Sequence, residues 1–298
     1  MLHGVVENAG AKAADAESRQ VSRLLSFWRI FRTDFSGMLG LAAVGILIVL
    51  ALLAPVIAPY DPYLQSLQST LLPPSARHLA GTDELGRDVL SRMLYGARTT
   101  LLVVVSVSVL VAPIGLLIGI CAGYFGGWID RTLMRVVDIF LALPSLVLAL
   151  GFVAALGAGT ENAVLAIALT AWPPIARLAR AETLTIRSSD YIAAARMYGA
   201  SSFRIITAHV VPLCMPSIIV RVTLSMASVI LTAAGLGFLG LGAQPPSAEW
   251  GTMISTGRKV MIDHWWVAAF PGIAILVTSL SFNLIGDALR DALDPRKA

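Results

Sequence analysis

Long runs without a single charged side chain constrain this chain more than any other feature. No Asp, Glu, Lys or Arg occurs from Met38 to Ala58 or from Thr99 to Gly123. Runs of about 20 apolar residues match a hydrocarbon core roughly 30 Å thick. The sequence as a whole is 57% apolar and 13% charged, with a mean hydropathy of +0.78, whereas a soluble domain carries about 25% charge. Backbone groups in lipid need internal partners, so each run reads as a helix. The expectation is an all-α, polytopic membrane protein with six transmembrane helices: Met38–Ala58, Thr99–Gly123, Leu133–Leu156, Asn162–Leu178, Val211–Leu239 and Trp266–Ile285. The third and fourth, joined by the short break Gly157 to Glu161, form a tight antiparallel hairpin, and Trp172-Pro173-Pro174 kinks the fourth.

Basic residues orient the bundle. With the N-terminus inside, fifteen Lys and Arg fall in cytoplasmic segments and six in outer ones, which favours both ends on the cytoplasmic side. Arg77, Arg87, Arg92 and Arg98 in the first outer loop are a counter-signal. The expected division is a cytoplasmic segment 1–37, a transmembrane domain 38–288 with outer loops 60–98 and 243–265 and a cytoplasmic loop 180–210, and a cytoplasmic tail 289–298. Glu7, Asp15 and Glu17 leave the first segment without the apolar core of a signal peptide. The net charge of +4 and pI near 9.3 come from residues flanking apolar blocks, which points to the lipid bilayer as partner and away from nucleic acid. Cys121 and Cys214 read as free packing residues.

The loop between the fourth and fifth spans carries the strongest local pattern. Ser189 or Asp190 can cap a short helix that Gly199 ends in the left-handed conformation. Ser201 or Ser202 can cap a second helix that runs past Pro212 into the fifth span. Tyr191, Ala194, Ala195 and Tyr198 share one face of the first helix, small residues bracketed by two aromatic rings. Such a face suits a groove on a partner, or equally the lipid interface. Within the fifth span, Arg221 either snorkels to the cytoplasm or faces a pathway where it attracts a carboxylate. Ser225, Ser228 and Thr232 continue its stripe, as pathway or as small interhelical packing residues. Asp138 and Asp287 are placed to pair with arginines at the inner ends.

The loop resembles that of ABC-importer permeases, whose pattern is Glu-Ala-Ala, three residues, Gly, nine residues, Ile, one residue, Leu-Pro. Ala194, Ala195, Gly199 and Pro212 match in register, while Ala193, His209 and Val211 stand where the family has Glu, Ile and Leu. With Asp190 as cap, Ala193 falls at the third helical position, where the family's Glu would complete a capping box. Gly81-Thr82-Asp83-Glu84-Leu85-Gly86-Arg87-Asp88, Phe238-Leu239-Gly240-Leu241-Gly242-Ala243-Gln244-Pro245-Pro246 with Glu249-Trp250-Gly251, and Phe282-Asn283-Leu284-Ile285-Gly286-Asp287 are similar to the second permease of dipeptide and oligopeptide importers. The resemblance implies a type I permease fold, a second homologous permease, two ATPase subunits and an extracytoplasmic solute-binding protein, in the bacterial cytoplasmic membrane. It implies that Tyr191, Ala194, Ala195, Tyr198, Gly199 and Ser201 form the coupling surface for the ATPases. Asp83, Arg87 and Asp88 are candidates to receive the binding protein, or else solvated turn residues.

No Gly-x-x-x-x-Gly-Lys-Ser/Thr occurs, and the lysines Lys12, Lys259 and Lys297 follow no glycine-rich loop, so energy must come from another polypeptide or an ion gradient. The four histidines are scattered and form no metal motif. The expectation is a non-catalytic importer subunit needing no cofactor and no metal, with peptide, nickel or glutathione as cargo. A self-sufficient carrier or channel is the alternative.

Overall fold

The computed structural model describes residues 28–293, all α-helical apart from loops and one isolated bridge between Thr82 and Asp88. The main helices are α1 (Phe35–Ile57), α2 (Val89–Phe125), α3 (Gly127–Leu141), α4 (Ser145–Leu156), α5 (Thr160–Ala171) and α6 (Pro173–Arg187). They continue as α7 (Asp190–Met197), α8 (Ser202–Ile205), α9 (Val211–Phe238), α10 (Trp250–Gly257) and α11 (Trp266–Leu293). Five stretches among the described residues are long and apolar enough to cross a membrane, and a sixth exists if the bent pair α3 and α4 is one span.

That pair corrects the expectation of an unbroken third helix. The chain bends by 91° between Leu141 and Ser145, because Pro144 cannot donate to the helix ladder and disfavours the helical conformation at Leu143 before it. The fourth span breaks where expected, at Trp172, but resumes as α6 and runs on to Arg187. Residues 180–187, read from sequence as loop, are therefore helix. Residues 89–98 likewise are the first turns of α2, started by Asp88, whose carboxylate accepts from the Ser91 amide at 2.8 Å. α11 extends to Leu293, two turns past the expected end.

α2 and α6 form the central seam. Gly115, Gly119 and Gly123 recur every four residues, and a methyl group on any of them would overlap Ile175, Ala176 or Thr183 of α6 or its backbone. Close approach of this kind substitutes for the hydrophobic drive that is absent between helices in lipid. Val104, Val107 and Val111 of α2 and Ile175, Ala176 and Ala179 of α6 are essentially inaccessible. α9 lies against α11, with Leu224 over Gly286. α1 packs on α11 through Gly37 and Gly40 and exposes most of its remaining leucines, isoleucines and valines, as a helix facing lipid should. These contacts put the N-terminal end of α1, the C-terminal end of α11 and the α7 corner at the same end of the bundle.

Candidate functional site

At that end the chain turns sharply between α6 and α9. α7 is flanked by Ser189 in an extended conformation, but the Ser189 hydroxyl bonds back to Ile186 O and no side chain caps the helix. Because Ser189 is the cap residue, Ala193 sits one position past the place expected for it, and no capping box is geometrically available to this residue. Gly199 is left-handed (φ +79°), which a β-branched residue adopts only under strain. Ser201 caps α8 by accepting from the Arg204 amide at 3.3 Å.

The face built by this corner is open. Tyr198 is 92% and Met197 88% exposed, and Tyr191, Ala194, Gly199, Ser201 and Phe203 are exposed beside them, with Ala195 half-buried. Ile192, Ile205 and Val210 point the other way into the bundle and are buried. The corner is thus anchored by aliphatic side chains and presents aromatic ones. Met197 and Phe203 escaped the sequence reading because neither shares the Tyr191 to Tyr198 helical stripe. Ion pairs hold the neighbouring elements: Arg180 makes a bidentate contact with Asp130 (2.6 Å for one arm), and Arg177 reaches Asp138 at 2.6 Å. The Asp138 expectation is thereby met, whereas Asp287 is exposed and forms no ion pair among the described residues. Arg196 of α7 lies 5.4 Å over the Tyr124 ring at the end of α2.

A cleft of about 330 Å³ lies deeper. Arg221, Ser225, Ser228 and Thr232 of α9 all line it, so the structure brings the four residues of the sequence stripe together. Opposite them stand both helix breaks: Leu143 and Ser145 at the α3–α4 bend, and Thr170 and Pro174 around the α5–α6 break. Phe140 and Trp172 pack ring against ring at 5.5 Å, pinning one break to the other. Interrupted helices lining a cavity are where membrane proteins tolerate irregular backbone. Ser225 and Thr232 donate their protons to Val222 O and Ser228 O of their own helix, leaving acceptor lone pairs toward the cleft. Arg221 also lines a second space of about 510 Å³ with Glu182, Ser217 and Arg290. Glu182 accepts from the Ser217 hydroxyl at 2.8 Å.

At the opposite end, Asp83, Arg87 and Asp88 are not solvated turn residues. They are 5%, 8% and 3% exposed. Asp83 accepts from Arg87 Nε at 2.7 Å and from the Leu85 and Arg87 amides, and lies 3.6 Å from Arg92. Asp88 caps α2 and meets His78 Nδ1 at 3.0 Å. Their side chains hold the loop together, because a buried charge must be paired. Beside them α10 is wedged between α9, α11 and α2: Trp250 Nε1 donates to Met93 O at 3.0 Å, and Glu249, 8% exposed, accepts from the Gly251 and Thr252 amides. Burial pushes the Glu249 carboxyl above its ordinary range, with hydrogen bonds from Gly251 and Thr252 acting in the opposite sense. No group of His, Cys, Asp and Glu able to hold a metal occurs among the described residues.

Comparison with known proteins adds descent to this geometry. The family described as "Binding-protein-dependent transport system inner membrane component" matches residues 115–298, and "N-terminal TM domain of oligopeptide transport permease C" matches residues 22–74. This chain belongs to the binding-protein-dependent permeases of ABC importers. Such a permease is a non-catalytic, multi-pass inner-membrane subunit. It is 46% identical over 96% of both chains to the di/tripeptide transport system permease protein DppC of Pseudomonas aeruginosa. It is 48% identical to the dipeptide transport system permease protein DppC of Escherichia coli K12, over 92% of this permease and 93% of that one. The fold matches a chain of the inward-facing MetNI methionine ABC transporter at a TM-score of 0.56 and 21% identity, covering 68% of this permease and 97% of that chain.

Proposed function

We propose that this permease is one half of the translocation pore of an importer for dipeptides and short oligopeptides. It pairs with a second homologous permease, receives cargo from an extracytoplasmic solute-binding protein and is driven by two ATPase subunits. Its α7 corner and both termini face the cytoplasm. The observation that carries this reading is continuity. The exposed face around Tyr191, Ala194, Ala195, Tyr198, Gly199 and Ser201 leads without a break in helix from Ser202 to Phe238, and that helix lines the cleft with Arg221, Ser225, Ser228 and Thr232. A push on the corner moves the wall of the cleft, which is what a two-state pore biased by nucleotide requires.

Peptide as cargo rests on the di- and tripeptide permeases that resemble this chain over nearly its full length and on the chemistry of the cleft. Hydroxyl oxygens along one wall and a single guanidinium suit a short backbone ending in a carboxylate, held weakly enough to leave. Reconstitution in proteoliposomes with the three kinds of partner should give uptake of labelled dipeptide that requires ATP. Gly199→Val should abolish or sharply reduce it, because the left-handed backbone would be strained by about 1–2 kcal/mol or more. Uptake by the permease alone on an ion gradient, or full uptake by the Val variant, overturns the reading.

A further inference from the structure

Two compliant joints lie between α7 and α9. One is the Gly199 corner, which has open space around its α-carbon. The other is the wide π turn Ile206–Val210, which follows the four-residue α8 directly. A π turn closes its hydrogen bonds five residues back, so it packs poorly along its axis and is a recurrent site of helix distortion. The backbone alone therefore passes on a displacement of α7 with some loss by bending at these two joints, although the helix from Ser202 to Phe238 is unbroken.

One side-chain contact spans the Gly199 corner and lands on the fourth residue of the π turn. The Tyr191 hydroxyl, in the first turn of α7, lies 2.7 Å from His209 Nδ1 in the π turn, eighteen positions along the chain. The rings meet edge to face, centroids 5.1 Å apart at 84°. The contact tolerates either imidazole tautomer, because a phenol both donates and accepts. On the inner side of the corner Ile192, Ile205 and Val210 are buried, which fixes the vertices that the bond connects.

From this we infer that the Tyr191–His209 hydrogen bond is a strut that triangulates the corner and delivers displacement of α7 to the base of α9, with His209 as a positioning residue. α7 is one side of a triangle, the corner with α8 and the π turn the second, and the bond the third. Three fixed sides fix an angle that a glycine hinge alone leaves free. The inference rests on the reading of α7 as the surface on which the ATPases push. It goes beyond that reading by assigning the transmission to two named side chains, one of which is the departure from the family pattern at position 209.

The test uses the complete complex in proteoliposomes, with dipeptide delivered per ATP hydrolysed as the readout. Tyr191→Phe and His209→Phe each keep an aromatic ring and remove the bond. Each should lower delivery per ATP about two- to tenfold, the net worth of one hydrogen bond. The double variant should fall no further than the lower single one, and His209→Asn, which restores a hydrogen-bonding atom at the Nδ1 position, should recover most of the loss. Wild-type delivery per ATP in both single variants, multiplicative loss in the double, or hydrolysis and uptake falling in proportion would each overturn the strut. Absence of ATP-dependent uptake by the wild-type complex would refute the importer reading itself, and the strut with it.

Discussion

Single side chains decide the chemistry of both ends. Glu249 ionises above its ordinary range because it is buried. A carboxyl raised in the folded state stabilises fully below its unfolded value of about 4.3 and loses that contribution as pH climbs through the folded value. Thermal unfolding of the detergent-solubilised protein should therefore show the wild type losing stability relative to Glu249→Gln as pH rises from about 4, and a pH-independent difference would contradict the burial. Arg221 makes the opposite kind of prediction. As the guanidinium on the cleft wall, it should contribute a charge-assisted contact to a substrate carboxylate, so Arg221→Gln should raise the half-saturating substrate concentration of reconstituted transport by about ten- to a hundredfold, with Lys retaining more function than Gln. The Arg221 to Thr232 stripe was legible because helical spacing alone sets it. The role of Asp83, Arg87 and Asp88 was not, since a short acidic and basic run looks the same whether water or a folded loop surrounds it. Only the closure of residues 60–88 over α2 reveals which.

Helices and their junctions follow a few sequence marks, some of which were easier to read than others. Pro144 and the Trp172-Pro173-Pro174 run interrupt two spans, yet an apolar run conceals the direction of a bend, and the 91° turn depends on how α3 packs beside α6. The Gly115, Gly119, Gly123 repeat went unread in the sequence, since the use of a glycine seam depends on which helix comes to face it. Gly119→Leu should separate α2 from α6 and lower the yield of folded protein in detergent, whereas normal folding would argue that the seam is dispensable. A finer comparison lies on α9. A methyl group at Gly237 would overlap the Glu249 carboxylate, while one at Gly235 would stand 3.4 Å from Leu146. Gly237→Ala should therefore cost about 1–3 kcal/mol, and Gly235→Ala should be neutral or gain up to about 1 kcal/mol from helix propensity. Thermal unfolding of the two variants side by side measures the difference.

The molecule as a whole is polarised between its ends. Tyr198 and Ile262 are 92% and 95% exposed and belong to opposite ends. In a background lacking Cys121 and Cys214, Tyr198→Cys in intact cells should resist a membrane-impermeant thiol reagent while Ile262→Cys reacts. The reverse pattern would invert the proposed orientation. The apolar spans were readable from their charge-free runs, whereas the shape of the cleft required knowing that the two helix breaks face each other. α2 spans this polarity by itself. Its 37 residues make a rod of about 55 Å at 1.5 Å per residue, nearly twice the thickness of the oily layer it crosses. One tip is clasped by the Asp88 loop and the other lies under Arg196. Under the proposed function, news of a visitor docking on one face has a single helix, with Pro113 inside it, along which to reach the engine on the other, with no relay of intermediates.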